Sequence, residues 1–350
     1  MGSKPIGISA SRGAAVLGLS NYTTQFQVWQ QIMEERNPGF NSLHGYVFPE
    51  FEGNASTRWG LAFEDSIIEL AEQKTDDLIG AREKFFSYKD FITCHIDGCY
   101  SNGVDYKLKK PKPKTLHEGK TTTAWTHRLK WGEPGSDRIP QDYHVQVQHQ
   151  MLCTGAEQAI VSVLVFPESP EKWEEMGWEI EWEMDKDLIG NYFMSKSSYY
   201  ADRISCIIWA QTLDQMGFFH QYTVNRNQEL ICKMVENYSQ FWQENILGEI
   251  PPDPKNYEDI KRMVPNPCGT IIVDDQTADW YREYKDINEE LRGSGQMGKR
   301  REQLKVKILD RARKLESTID DDSTDKWIFL DPKGEKVGQY SKTKKGYMFR

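Results

Sequence analysis

Two short segments of the chain place acidic residues where they could bind a metal ion. One is the dipeptide Asp97-Gly, and the other is the tripeptide Glu118-Gly-Lys120 in a strand-like run. Side chains alternate along a strand, so Glu118 and Lys120 are expected to share one face. Asp97 and Glu118 together offer the hard oxygen ligands that Mg²⁺ prefers. Such a metal can polarise a phosphodiester, while Lys120 positions water or stabilises charge on the phosphate.

The same three residues also fit a purely structural interpretation. An acid followed by Glu-x-Lys occurs in many chains, and a cross-strand salt bridge uses the same residue types. The chain contains a competing pattern, Asp105-Tyr-Lys107, which begins eight residues after Asp97. That separation leaves little room for a second strand beside the first. The spacing alone therefore leaves both interpretations open.

Glu64 is a third candidate acid, on a helix predicted over residues 57–74. It precedes Ile67, Ile68 and Ala71 by three, four and seven residues, so it projects from the apolar face of its own helix. An ionised carboxylate on that face is costly unless it is paired, hydrogen-bonded or bound to metal. Both a salt bridge at the edge of the core and a functional carboxylate fit this position.

Two basic segments lie close in sequence to Glu118 and Lys120. Residues 107–114 hold five lysines in eight positions, which fits either a phosphate-contacting loop or a solvated hairpin tip. The segment after Lys120 mixes Trp125 and Trp131 with Arg128 and Lys130. Its aromatic rings could stack on unpaired bases, or could simply anchor a loop to the core.

Periodicity predicts an α/β fold with a mixed β-sheet flanked by helices. Apolar, β-branched residues over 159–166 indicate a buried strand. Strict alternation of apolar residues and glutamates over 178–184 indicates a strand with one solvent-exposed face. The predicted helices are 25–35, 57–74, 143–154, 187–212 and 228–247, and further strands are predicted near 84–94, 103–108, 115–121 and 218–224.

The chain is expected to divide into a core over residues 1–255 and an extension over 256–350. Within the core, residues 168–215 are predicted to be an insertion. The extension is predicted to contain a helical hairpin around the glycine-rich segment 293–298 and a β-hairpin that turns at 331–334.

Composition excludes several classes of protein. The chain has 350 residues, of which 12% are aromatic, too many for intrinsic disorder. No apolar run reaches the roughly 18–20 residues of a membrane span, and the start lacks a secretory signal. The six cysteines form no C-x-x-C pair, so a zinc ribbon is not expected. The net charge of −9 is uneven: residues 168–187 carry −7, whereas residues 298–350 carry +6.

The order of these motifs resembles one nuclease family. The series runs Ile-Ser-Ala-Ser at 8–11, Trp-Gly at 59–60 before Glu64, Asp97-Gly, Glu118-Gly-Lys120-Thr, and Tyr-x-x-Gln146-Val-Gln at 143–148. In this order the chain resembles the lambda-exonuclease-like or YqaJ viral recombinase family of the PD-(D/E)XK nuclease superfamily. The resemblance covers about residues 6–165 and implies a restriction-endonuclease-like core.

The resemblance implies roles for the candidate residues. Asp97 and Glu118 correspond to metal-binding carboxylates, the Gly119 carbonyl to a further ligand, and Glu64 to the helix-borne acid that completes the site. Lys120 corresponds to the catalytic lysine. The middle residue of the Glu-x-Lys motif is usually β-branched, so Gly119 is a departure at which the strand is expected to bend.

The resemblance also implies contacts with DNA. Gln146 corresponds to a glutamine near the metal and the scissile strand. Ser11 resembles a serine near a pocket for the terminal phosphate, where Lys4 or Arg12 supplies the basic partner. With the aromatic and basic segment included, the predicted DNA contacts are Lys4, Ser11, Arg12, Trp125, Arg128, Lys130, Tyr143 and Gln148.

The implied activity is exonuclease digestion of linear double-stranded DNA. The resemblance implies Mg²⁺, with Mn²⁺ as a substitute, 5′→3′ polarity, and 3′ single-stranded tails for a partner annealing protein. It further implies a ring-shaped homo-oligomer and, for a phage or prophage protein, the cytoplasm of a bacterial host. A structure-specific or nicking endonuclease and a non-catalytic DNA-end-binding or assembly protein are the alternatives.

Overall fold

A computed structural model gives the fold of the protein. It describes residues 6–49, 53–101, 113–184, 190–196, 202–290, 295–315 and 325–350. The predicted strand at 103–108 and the competing Asp105-Tyr-Lys107 pattern lie outside these residues, as does most of the lysine-rich segment 107–114.

Capping residues set the ends of the helices that carry the site. The Asn54 side chain accepts a hydrogen bond from the Thr57 N–H at 2.9 Å and begins α4, while Gly155 in a left-handed conformation ends α6. No helix of the described residues is long and apolar enough to cross a membrane. The helices are α1 (Ala10–Val16), α2 (Gln25–Arg36), α3 (Phe40–Leu43), α4 (Ala55–Thr75), α5 (Ala124–Lys130), α6 (Gln141–Thr154), α7 (Pro170–Glu175), α8 (Cys206–Gln215), α9 (Gln228–Phe241), α10 (Tyr257–Met263), α11 (Asp275–Glu290) and α12 (Gly295–Arg313).

The strands of the described residues form four sheets, ordered β1-β4-β3, β11-β7-β6-β5-β2, β10-β9-β8 and β12-β13-β14-β15. The helices on both faces of the five-stranded sheet confirm the predicted α/β class. The strands are β1 (Ile8–Ser9), β2 (Ile79–Gly80), β3 (Lys84–Lys89), β4 (Ile92–Ile96), β5 (Gly98–Tyr100), β6 (Thr115–Thr123), β7 (Gln158–Phe166), β8 (Trp178–Met184), β9 (Gly190–Lys196), β10 (Arg203–Ser205), β11 (Phe219–Asn225), β12 (Cys268–Ile272), β13 (Lys326–Leu330), β14 (Lys336–Thr343) and β15 (Gly346–Phe349).

The five-stranded sheet positions the Glu-x-Lys motif. Its central strand β6 runs parallel to β7 and antiparallel to β5. Glu118 lies in register with Val161 and Lys120 with Val163, on the face where the apolar residues of β7 pack against α6. Gly119 lies on the opposite face, where α4 packs. Alternation along β6 therefore puts Glu118 and Lys120 on the α6 side of the sheet and Gly119 on the α4 side.

Residues 168–215 contain a small antiparallel sheet. The predicted strand at 178–184 is confirmed as β8. The helix predicted over 187–212 is wrong over 190–196 and 203–205, which form β9 and β10, and is confirmed over 206–212, which lie in α8. Glu181 pairs with Phe193 in the β8–β9 ladder, and the Trp182 and Tyr192 rings lie 4.7 Å apart. These cross-strand contacts outweigh the local helical pattern.

The chain divides into two compact units: Met1–Ser20 with Phe51–Ser239, and Asn21–Glu50 with Gln240–Arg350. The second unit thus joins α2 to the C-terminal part of the chain. Thr24 donates a hydrogen bond to the buried carboxylate of Asp259 at 2.9 Å. The predicted division after residue 255 stays a prediction.

The C-terminal hairpins are confirmed in the second unit. Helices α11 and α12 pack together, and Arg300 pairs with Glu283 at 2.7 Å. Strands β13 and β14 flank the turn Asp331–Gly334. Their apolar face packs on α11, where the buried Tyr281 side chain lies against Gly338 of β14.

Adding one methyl group at Gly338 is predicted to destabilise the second unit. A Cβ at this position would overlap the Tyr281 ring, and overpacking of this kind costs about 1–3 kcal/mol. Gly298, inside α12, has open space around its Cα, so Gly298→Ala should be neutral or stabilising by up to about 1 kcal/mol. Thermal unfolding of Gly338→Ala and Gly298→Ala measures both effects, and equal melting temperatures would contradict the packing described here.

Candidate active site

Glu118 and Lys120 form an ion pair on β6. Glu118 is 0% exposed, and its Oε1 atom accepts a hydrogen bond from Lys120 Nζ. The Lys120 side chain is 18% exposed, so it reaches from the buried carboxylate towards solvent. An ionised carboxylate at this depth requires such compensation. The sequence spacing thus predicted the shared face of these two residues correctly.

Helix α6 supplies two more donors to the same carboxylate. Gln146 Nε2 donates to Oε1 of Glu118, and Gln150 Nε2 donates to Oε2 at 2.6 Å. The two glutamines are four residues apart and therefore lie on one face of the helix. Gln150 is not among the site residues predicted from the motifs, although its four-residue spacing from Gln146 indicates a shared helix face.

Asp97 lies in the one-residue break between β4 and β5, partly buried beside Gly119. Its Oδ2 atom accepts a hydrogen bond from the Gly119 N–H at 2.9 Å. A Cβ at position 119 would come within 3.3 Å of Ile67 and 3.8 Å of Asp97. The glycine thus lets Ile67 of α4 approach β6 closely, which explains the departure from a β-branched residue.

The carboxylates of the site influence one another's protonation. Burial, and then the negative charge of Glu118, raise the pKa of Asp97 to about 7, although Lys120 and the Gly119 N–H oppose the shift. Burial also raises the pKa of Glu64, and the neighbouring acids, Glu118 among them, add to the effect. Glu64 is partly buried on α4, as its position on the apolar face predicted.

Lys120 is held in its charged form. Burial alone would lower its pKa, but the negative charges of Glu118 and Asp97, together with the hydrogen bond to Glu118, raise it above the usual value. The ammonium also lies 5.2 Å from the centre of the Tyr143 ring, at the start of α6. A protonated lysine can stabilise a developing negative charge and is a poor general base.

The donor set fits a hard divalent cation. Among the described residues, no three His, Cys, Asp or Glu side chains are grouped closely enough to enclose an ion in this conformation. The Asp97 and Glu118 carboxylates are nevertheless close enough to repel each other, and this repulsion contributes to the raised pKa of Asp97. A divalent cation would relieve this repulsion, and carboxylate and carbonyl oxygens are the ligands that Mg²⁺ and Mn²⁺ prefer.

Aromatic contacts connect the site to α5. The ring centres of Tyr143 and Trp131 lie 5.8 Å apart. The ring centre of Trp131 is also 5.8 Å from that of His127, on the inner side of α5. The outer side of α5 carries Trp125, which is 65% exposed, with the Arg128 guanidinium 5.3 Å from its ring. Lys130, at the end of α5, is also exposed.

The other predicted DNA contacts lie in different surroundings. Ser11 is exposed on α1, and Arg12 donates a hydrogen bond to the Gly7 carbonyl at 3.1 Å. Gln148 is fully buried, and its amide contacts the backbone of Asn225 and Asn227. Lys4 lies outside the described residues. The DNA contacts of all four predicted residues stay predictions.

Replacing Asp97 by Asn should stabilise the metal-free protein at alkaline pH. A carboxylate whose pKa is raised from about 4 to about 7 binds more protons in the folded state, so it makes stability fall as pH rises through this window. Asp97→Asn removes this loss, and at about 1.4 kcal/mol per pKa unit it should gain up to about 4 kcal/mol at pH 8 relative to pH 4.

Thermal unfolding in EDTA at several pH values measures this effect. Asp65→Asn is the matched control, because the Asp65 side chain is 83% exposed and paired with Arg82 at the surface. A wild-type protein and an Asp97→Asn variant with parallel pH profiles would contradict the electrostatic description.

The amino-acid sequence matches the family model of the YqaJ-like viral recombinase domain over residues 2–157. That interval contains every residue described above for the carboxylate site. A search of curated proteins finds no match.

Several solved structures are similar to the chain. One is LHK-Exo, an alkaline exonuclease from Laribacter hongkongensis, in complex with dAMP: identity is 17%, TM-score 0.42, and the alignment covers 75% of this chain and 94% of that one. Another is a phage related exonuclease from Haemophilus somnus, with 15% identity and a TM-score of 0.38. This alignment covers 70% of this chain and 97% of that one. Residues 2–157, the interval that the family model matches, are similar to the YqaJ-like viral recombinase domain.

Proposed function

We propose that the protein is a Mg²⁺-dependent exonuclease that hydrolyses linear double-stranded DNA in the 5′→3′ direction and leaves 3′ single-stranded tails. The observation that carries the proposal is the buried Glu118 carboxylate, held by Lys120 and two glutamines beside Asp97. A protein that only binds DNA has no need to place Asp97 beside a buried Glu118, because two carboxylates repel both one another and the phosphates.

In this proposal the metal is held by Asp97, Glu118, Glu64 and the carbonyl of Gly119. When bound, Mg²⁺, or Mn²⁺ in its place, supplies a Lewis acid for the phosphate and lowers the pKa of water. Lys120 holds its proton and stabilises negative charge as it develops on the phosphate. Gln146 keeps the Glu118 carboxylate oriented and lies close to the strand to be cut.

The exposed side of α5 is proposed to contact the DNA. Trp125 offers a ring for an unpaired base, while Arg128 and Lys130 offer positive charge to the adjacent phosphates. Tyr143 and Trp131 connect this helix to Lys120. The surface is therefore suited to a strand that separates at a duplex end.

Association with other proteins follows from the proposed product. Single-stranded 3′ tails are the substrate of a strand-annealing protein, which we propose as the partner, in a bacterial host cytoplasm. A ring-shaped homo-oligomer around DNA belongs to the same proposal.

One assay separates this activity from its alternatives. End-labelled linear duplex DNA and covalently closed circular DNA are digested in parallel with Mg²⁺. An exonuclease releases mononucleotides from the linear DNA, starting at 5′ ends, and leaves the closed circle intact. Cutting of the circle would support a nicking or structure-specific endonuclease instead, and binding without cleavage would support an end-binding protein.

Lys120→Ala is expected to abolish cleavage, with a rate loss of at least about 1,000-fold, because it removes the cation aimed at the developing charge. The variant should stay folded at the assay temperature, with a lower melting temperature than the wild-type protein because the buried Glu118 carboxylate loses its cationic partner. Lys172→Ala, which removes an exposed lysine paired with Glu168, is the control and should keep full activity. Substantial cleavage by Lys120→Ala, or by the wild-type protein in EDTA, would show that the site is wrongly assigned.

Trp125→Ala is expected to weaken DNA binding by about tenfold and to change the maximal rate little, because base stacking contributes about 1–3 kcal/mol per base. Trp125→Phe should restore most of the affinity. Trp182→Ala, at an exposed tryptophan of β8, should bind normally. Titration with frayed-end duplexes at several salt concentrations measures the DNA affinity of all three variants. Equal affinities for Trp125→Ala and Trp182→Ala would exclude the stacking role of Trp125.

A further inference from the structure

The two oxygens of Glu118 are not equivalent. Oε1 accepts hydrogen bonds from both Lys120 and Gln146, whereas Oε2 accepts one, from Gln150 at 2.6 Å. Each carboxylate oxygen offers about two lone-pair sites. Oε1 therefore has both of its sites engaged by the described residues, and Oε2 retains one that a cation can use.

Gln150 connects the two segments that carry the carboxylates. Besides its bond to Glu118 on β6, its Nε2 atom donates to the carbonyl of His95 at 3.4 Å. His95 lies on β4, two residues before Asp97. One amide nitrogen thus bonds both to β4, which ends just before Asp97, and to β6, which carries Glu118.

The orientation of this amide is costly by itself. Gln150 is 1% exposed, and its carbonyl oxygen has no hydrogen-bond partner among the described residues. Rotation of the amide by 180° would put this oxygen against the Glu118 carboxylate, where two acceptors repel. The Gln150 amide nitrogen therefore donates to Oε2 of Glu118, while the amide oxygen has no hydrogen-bond partner among the described residues.

We propose that Gln150 is a positioning residue that fixes Oε2 of Glu118 as the oxygen presented to the metal ion. The inference rests on the proposed function, because it assumes a divalent metal at Asp97 and Glu118. It predicts that loss of the Gln150 donor lets Oε2 rotate and weakens metal binding. Because Lys120 and Gln146 stay on Oε1, the chemical step is preserved once metal is bound.

Gln150→Met removes the donor and keeps nearly the same side-chain length. Isothermal titration calorimetry with Mn²⁺ alone should give a dissociation constant at least about tenfold higher than for the wild-type protein, as for other groups that orient metal ligands. Half-saturating Mg²⁺ for DNA hydrolysis should rise by a similar factor. The rate at saturating Mg²⁺ should stay within about threefold of the wild-type rate.

Two further variants control for changes in folding. Gln150→Asn keeps a buried amide that is one methylene shorter, so it should fold where Gln150→Met does not and still show weaker Mn²⁺ binding. Gln30→Met removes a fully buried glutamine of α2 that donates to Asn41. It should lower the melting temperature without changing the affinity for Mn²⁺.

The outcomes distinguish this inference from the proposed function. If the Gln150 variants bind Mn²⁺ as tightly as the wild-type protein, even with lower melting temperatures, the positioning role is overturned while nuclease activity stands. If the wild-type protein binds Mn²⁺ and hydrolyses no DNA, the proposed function fails and calorimetry still decides the role of Gln150. A wild-type protein that binds no Mn²⁺ overturns the inference directly.

Discussion

The burial of the Glu118 carboxylate is the constraint on which the site depends. A charge removed from water on the central strand of a sheet must be compensated by donors at fixed positions. Lys120 supplies one donor from two residues further along β6, and α6 supplies two more from successive turns. The parallel pairing of β6 with β7 and the packing of α6 on the same face are therefore as necessary to the site as the acids themselves.

The acids are crowded in a way that favours function over the stability of the metal-free protein. Asp97 lies near Glu118 and Glu64, and burial together with their charges raises its pKa. Gly119 allows α4, which carries Glu64, to pack closely on β6, because a side chain there would press on Ile67. The glycine in β6 and the close carboxylates both lower the stability of the metal-free protein. A bound divalent cation would offset the repulsion between the carboxylates.

Local patterns in the sequence predicted the features of the site that depend on strand alternation and on helical spacing. Alternation placed Glu118 and Lys120 on one face, and helical spacing placed Glu64 on the apolar side of α4. The same kind of reasoning failed for residues 190–196 and 203–205, which form strands because β9 pairs with β8 and β10 pairs with β9. It also gave no sign that α2 joins the C-terminal unit, since the contact of Thr24 with Asp259 spans 235 positions.

The proposal on which the other inferences depend is that Asp97 and Glu118 hold a divalent cation. Anomalous diffraction from crystals of the protein soaked in Mn²⁺ tests it most directly. We expect an anomalous peak within about 2.5 Å of one oxygen of each carboxylate, with Oε2 as the Glu118 ligand. Well-occupied Mn²⁺ elsewhere in the molecule, with no peak between Asp97 and Glu118, would contradict the account.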